Sequence, residues 1–145
     1  AALARHLEDQ AASISESALL ISNFQHGGHL GPGVRARYAE LARHLALVGA
    51  LGTDVGPEPA PGVRGGRVSD TDPLQSEWST ALISPHFAGA IAALDLGDPG
   101  PDASRRFELA VTYDRNLVIE CARSLLYRIS PLPSEERETN GNGSG

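Results

Sequence analysis

The sequence predicts a single-domain α/β fold of the α+β kind: a mixed, mostly antiparallel sheet of about five strands, with helices packed on it at both ends of the chain. Three observations lead there. Amphipathic helical patterns open and close the folded span, a strand-helix-strand pattern follows the first helix, and a train of short apolar runs separated by turn residues fills the middle. At 145 residues, 41% hydrophobic and 21% charged, the chain has the size and composition of one globular domain with one core.

From Ala2 to Ile14 the apolar residues Leu3, Leu7, Ala11 and Ile14 recur at three- and four-residue steps, with Arg5, His6, Glu8 and Asp9 assigned to the outside. Ala18 to Phe24 has strand length, and the Gly/Pro-rich stretch Gln25 to Gly33 reads as a loop. A second helix is expected from Val34 to about Leu45, with Tyr38, Leu41, Ala42 and Leu45 on one face, followed by a buried strand from Leu47 to Leu51. A helix between two strands makes those strands parallel. Thr53 to Gly66 reads as a loop leading into a short strand around Val63 to Val68, and Asp70, Asp72 and Pro73 mark a turn. Trp78 to Ile83 and Ala88 to Leu96 form a hairpin about Ser84 to Phe87, with helix as the alternative for the alanine-rich second arm. A polar loop from Gly97 to Ala103 precedes a last strand, Phe107 to Thr112. Asp114 occupies an N-cap position ahead of a helix to Ile129 whose apolar face is Leu117, Val118, Cys121, Leu125 and Ile129. The domain is thus expected over residues 2–130, with a disordered tail over 131–145.

Composition removes several function classes. Every basic residue is an arginine and the formal net charge is −6, so a P-loop lysine and Schiff-base chemistry are absent and no basic surface is available for a nucleic-acid backbone. The single cysteine, Cys121, allows no internal disulfide and sits on the apolar helical stripe, which suits a buried structural thiol in a reducing compartment. No run reaches the length of a membrane span and no leader opens the sequence, so a cytoplasmic location with no membrane contact is expected. The lack of any methionine marks the sequence as a piece of something longer.

No catalytic motif emerges. The loop Gln25 to Gly33, with Arg35 and Arg37 just beyond it, could turn amides and guanidinium groups toward an anion, but it contains neither GxGxxG nor GxxxxGK[ST]. His26 and His29 have metal-pair spacing, yet His6, His44 and His86 lie on other elements, and a zinc site needs three or four ligands. Ser84, His86 and Asp95 have the residue types of a triad and nothing that orders them. A second constellation, Glu77, Trp78, Pro85, His86, Phe87, Asp95, Tyr113 and Asp114, falls at strand ends and in the hairpin, where aromatic faces can line a cleft or join the core. The candidate ligand contacts are Phe24, His26, Arg37, Trp78, His86, Asp95, Tyr113 and Asp114. No metal and no identifiable cofactor is expected.

Several segments, taken in order, resemble a known family. They are Ile21-Ser22-Asn23-Phe24-Gln25-His26, Arg35-Ala36-Arg37-Tyr38-Ala39-Glu40-Leu41, Val48-Gly49-Ala50-Leu51-Gly52, Asp72-Pro73-Leu74 with Glu77-Trp78, Ser84-Pro85-His86-Phe87, Asp95-Leu96, and Thr112-Tyr113-Asp114-Arg115. From about Leu3 to Ile129 the chain resembles the DICT domain, the sensory module associated with diguanylate cyclases and two-component systems, of actinobacterial type. Gly27 and Gly28 depart from the bulkier residues expected there. The resemblance implies a non-enzymatic bacterial signal-sensing or ligand-binding domain. Its partners would be a small-molecule signal and an attached or separate output module: a transcription regulator, a cyclic-di-GMP enzyme or a two-component protein. It fixes neither ligand nor active site. The competing reading is a protein-interaction or dimerisation module, a homodimer included, that works through its first and last helices with no small-molecule ligand.

Overall fold

The computed structural model of the chain describes residues 2–12, 17–25, 29–95 and 107–131. In chain order these form α1 (Ala2–Ala12), β1 (Leu19–Asn23), α2 (Pro32–Ala42), β2 (Leu47–Gly52), β3 (Arg64–Arg67), a 3-10 turn (Pro73–Ser76), β4 (Glu77–Ile83), β5 (Ala88–Asp95), β6 (Phe107–Thr112) and α3 (Arg115–Leu126). The strands make one open sheet in the order β3-β2-β1-β4-β5-β6. The fold class is as the sequence predicts, with six strands rather than about five. The stretch expected from Val63 to Val68 pairs only from Arg64 to Arg67, and it does so in parallel with β2.

β1 is the pivot of the sheet. It runs parallel to β2, with Leu20 opposite Val48, and antiparallel to β4, with Ser22 opposite Thr80. The helix between β1 and β2 enforces the parallel pairing, because an 11-residue helix is a crossover that returns the chain in its original direction. The four-residue connection Ser84–Phe87 enforces the antiparallel one between β4 and β5, closed by the Ser84 amide donating to the Phe87 carbonyl at 2.7 Å and by Phe87 N–H donating to Ser84 Oγ at 3.0 Å. The alanine-rich arm is therefore a strand, not a helix. Alanine permits it because its neighbours fill both faces: Gly89 leaves room for Leu7 of α1 and for Phe87.

Alternation along the strands divides the core into two layers. On one face, α1 and α2 cover Leu20, Val48, Ala50 and Leu82, joined by Ala11, Phe24, Tyr38, Leu41 and Leu45. On the other, α3 covers Ile21, Leu51, Ala81 and Ala90 with Val118, Ala122 and Leu125. α3 begins as expected, with Asp114 accepting from Leu117 N–H at 3.1 Å. Cys121 is half-buried beside this second layer, where burial and then the Glu77 carboxylate push its thiol pKa up. The thiol therefore stays protonated and inert, as a structural cysteine should.

Gly66 on β3 accepts the close approach of the chain leaving α3. A Cβ there would fall on the Arg128 carbonyl, with Leu51 Cδ2 at 2.7 Å. Neither the backbone carbonyl nor a core leucine can yield cheaply. Gly66→Ala is expected to lower unfolding stability by about 2–3 kcal/mol, as overpacking does, measured by urea denaturation against the wild type.

Candidate functional site

Two features stand out: a buried polar seam under α1 and α2, and a crevice at the carboxyl ends of β2 and β3. The seam begins at Glu8. Helical periodicity assigns this residue to the outer face of α1, yet it is only 6% exposed. Its Oε1 accepts from Arg37 Nε at 2.7 Å and its Oε2 from Tyr38 Oη at 3.2 Å. A carboxylate tolerates burial only when both oxygens are engaged, and two consecutive residues of α2 supply both donors. The outward assignment fails because the partners come from a helix about 30 positions away in sequence.

Tyr38 passes the seam on to the sheet. Burial first, and the Glu8 charge second, push its phenol pKa far above the ordinary value. A tyrosine that keeps its single proton can donate only once, and Glu8 receives it. Ser22 Oγ, 2.8 Å away, must then donate to the phenol oxygen and accept from Thr80 Oγ1 at 2.9 Å. One chain of hydrogen bonds thus joins β4, β1, α2 and α1, and Phe24 closes its apolar side by packing edge-on against Tyr38 with ring centroids 5.5 Å apart.

The crevice has a volume of about 500 Å³ and is lined by Thr53, Asp54, Val55, Pro57, Arg67 and Ser130. It lies beyond the carboxyl ends of parallel strands, where open α/β sheets commonly receive ligands, and its volume suits a small molecule. Its rim is tied down on three sides. Thr53 N–H donates to the Gln25 carbonyl at 2.9 Å, and Gln25 itself sits at φ 68°, the left-handed region that a non-glycine residue enters only under local constraint. Arg67 Nε donates to the Thr53 carbonyl at 3.1 Å. Ser130, just past α3, donates its amide to the Gly65 carbonyl at 2.9 Å.

The exit from α3 is clamped close by. Arg128 grips Asp72 through Nε to Oδ2 at 2.6 Å and Nη2 to Oδ1 at 3.0 Å, while its Nη1 turns back to the Ser124 carbonyl. This pairing, with the Leu74 amide on the same carboxylate, holds the Asp72 pKa below its usual value against the opposing effect of burial. Arginine-carboxylate pairs therefore fasten α1 to α2 and the exit of α3 to the turn before β4.

The expected contact residues divide between the two ends of β4. Phe24 and Trp78 stand near the carboxyl end of β1, Phe24 in the core and Trp78 half-buried opposite Ala93. Arg37 is engaged with Glu8. His86 is exposed in the hairpin turn, and Tyr113 packs edge-on against Phe87 with centroids 6.0 Å apart. Asp114 caps α3. Trp78 is the second residue of β4 and His86 lies in the turn past the strand's other end, a separation of roughly 17 Å along the strand alone at the usual rise, so no single small pocket touches both. The backbone of Asp95 pairs with Phe107 on β6. His26 and the tail beyond residue 131 lie outside the described residues. Arg35, the other candidate anion ligand, donates instead to the Leu30 and Pro59 carbonyls at 2.7 and 2.6 Å. Sequence reasoning missed Glu8, Asp72 as a clamp, and Arg67 with Ser130; only the Arg35/Arg37 pair hinted at buried ion pairing.

A family model for DICT, described as a sensory domain in diguanylate cyclases and two-component systems, matches residues 1–96. The chain belongs to the DICT family. The matched part of this DICT domain carries α1, α2 and β1 to β5, including the whole seam, whereas β6 and α3 lie beyond it. No curated protein and no solved structure matches the chain. Among the described residues no cluster of three or more histidine, cysteine or carboxylate side chains is arranged to hold a metal, and no helix is long and apolar enough to cross a membrane.

Two outcomes follow from the ion pairs. Arg37→Ala, which strands the buried Glu8 carboxylate, should cost about 3 kcal/mol, and Glu8→Ala less, about 1–2 kcal/mol, because the half-exposed guanidinium can turn to water; chemical denaturation of both variants gives the order. Asp72 stabilises the fold at pH values above its ordinary pKa near 4, and that contribution disappears as pH falls through its lowered folded value. The melting-temperature gap between wild type and Asp72→Asn should accordingly be constant from pH 7 to about 5 and close toward zero as the pH falls through the lowered folded-state value.

Proposed function

We propose that this DICT domain senses a small polar or anionic molecule in the crevice at the carboxyl ends of β2 and β3, and that occupancy changes how the exit of α3 is held. The observation that carries the proposal is the position of Ser130. It forms part of the crevice wall, and the same short stretch supplies the Arg128 clamp on Asp72 and the carbonyl pressed against Gly66. A ligand bridging Arg67 and the loop Thr53–Pro57 therefore has a direct path to the backbone that follows α3. A signal shifts such an equilibrium only as far as its affinities for the two states differ.

The role is non-enzymatic: binding energy is converted into a change of position. The recipient is an output module, attached or separate, acting in transcription, cyclic-di-GMP or two-component signalling. Phe24 and Trp78 belong to the second place where a ligand would sit, on the α1/α2 side of the same sheet end. Trp78 discriminates the two.

Native mass spectrometry of the purified chain, followed by thermal shift with a panel of nucleotides and small carboxylates, tests the reading. A ligand at 100 times its Kd should add about 2.7 kcal/mol of stability. Arg67→Ala should abolish that shift while leaving the unliganded melting temperature within about 2 °C, since an exposed side chain contributes little. Loss of the shift in Trp78→Ala but not in Arg67→Ala would move the site to the sheet face. No shift with any compound and no retained molecule would favour a purely protein-binding role.

A further inference from the structure

The described residues with large apolar side chains open to solvent are Leu109, Val111, Tyr113, Leu117 and Tyr127, each between 44% and 82% exposed. Leu109 and Val111 lie on β6 and Leu117 on α3, with Tyr113 between the two elements and Tyr127 just past α3, all outside the part of the chain that the family model matches. Four of them fall within nine consecutive residues, on and just after an edge strand. Soluble domains guard such edges with lysine, proline, bulges or short strands. The registers of β5 and β6 run without a bulge from Ala90 opposite Thr112 to Asp95 opposite Phe107, and β6 carries neither lysine nor proline.

The direction of its free backbone groups follows from the hairpin. Ser84 and Phe87 form a hydrogen-bonded pair, so by strict alternation Gly89, Ile91 and Ala93 point their peptide groups at β4, and Ala88, Ala90 and Ala92 point theirs at β6. The hydrogen-bonded partners of Ala90 and Ala92 are Thr112 and Ala110. The N–H and C=O groups of Leu109 and Val111 are consequently aimed away from the sheet, and β6 is its last strand.

We propose that β6 is a dimer interface, pairing antiparallel with β6 of a second copy about a two-fold axis at Ala110 to give one continuous twelve-stranded sheet. In that register Leu109 exchanges both hydrogen bonds with the partner's Val111, and Val111 with the partner's Leu109. The outward groups thus meet outward groups. Side chains directly opposite share a face, so the two leucines and two valines form one aliphatic patch on the α1/α2 side. On the α3 side, alanine stands opposite alanine. There the groove of about 420 Å³ that Ala90, Ala92, Ala110, Thr112, Leu117 and Cys121 line on each copy is continued across the axis. A second copy is the occupant these features select, because in that register the outward hydrogen-bonding groups of the strand meet their like while leucine falls opposite valine and alanine opposite alanine. Five paired residues on each strand fall short of the roughly 800 Å² per partner of a standard stable interface, so the association is of moderate strength, with a Kd on the order of 10 μM.

Sedimentation equilibrium of the full 145-residue chain over roughly 1–500 μM, bracketing that Kd, should show a monomer-dimer transition. Val111→Lys and Val111→Pro should both weaken it at least 30-fold. The proline removes an outward N–H and leaves the β5–β6 hydrogen bonds in place, and Tyr127→Lys, on the far end of α3, should change nothing. Should either strand variant misfold by circular dichroism, amide exchange of the wild type decides: the Leu109 and Val111 N–H groups should exchange about 10-fold more slowly at high than at low concentration, as pairing requires. A wild type that remains monomeric throughout, a dimer that survives in folded Val111→Lys, or exchange at these two amides independent of concentration overturns the proposal.

Discussion

The structure depends on one strand being satisfied on both sides at once. β1 is almost wholly buried, with a parallel neighbour on one edge and an antiparallel neighbour on the other. It nevertheless carries Ser22 and Asn23, two polar side chains with no access to water. Each costs free energy unless bonded, and each is bonded to something that fixes the fold. Asn23 donates to the Leu74 and Glu77 carbonyls at 2.9 and 2.8 Å, which pins the 3-10 turn to the start of β4. Ser22 anchors the chain of hydroxyls that ends on Glu8. These bonds specify register: a one-residue slip of β1 would move Ser22 into the α3 layer and leave Tyr38 without its partner.

The same economy connects the core to the domain's sensory character. A helix that packs only through apolar contacts can slide, since hydrophobic burial has no direction. Arginine-carboxylate pairs impose position. α1 is indexed by Glu8 on Arg37 and Tyr38, and the end of α3 by Arg128 on Asp72. Both helices thus have a defined seat and a discrete interaction whose loss would release them, the two-state quality that a sensor needs. The clamp on α3 lies two residues before Ser130, which lines the crevice. The clamp on α1 lies between two helices, with the Glu8 carboxylate buried and the Arg37 side chain partly open to solvent.

The stretch that the family model matches and the exposed apolar surface fall in different parts of the chain. Residues 1–96 hold the parallel unit, the hairpin and the seam. Beyond them, β6 and α3 complete the second layer, and they bring the exposed apolar side chains with them. The outer edge of β6 is at the end of the sheet opposite β3 and the crevice, so the proposed association surface and the proposed ligand site share no residues.

Read alone, the amino-acid order determined the secondary structure well, because periodicity and turn chemistry are local properties. The helix of Leu7 and Ala11, the parallel unit around Tyr38, the hairpin at Ser84–Phe87 and the cap at Asp114 all follow from spacings of a few residues. It also carried enough ordered motif for the family to be named. What it could not determine was which polar residues are buried. Glu8 reads as a surface residue until α2 folds over it, Arg37 reads as a free cation until Glu8 meets it, and Arg67, Thr53 and Ser130 lie in three separate segments with nothing in common until the sheet gathers them. Burial and pairing are sums over distant parts of the chain, and only the tertiary structure performs that sum.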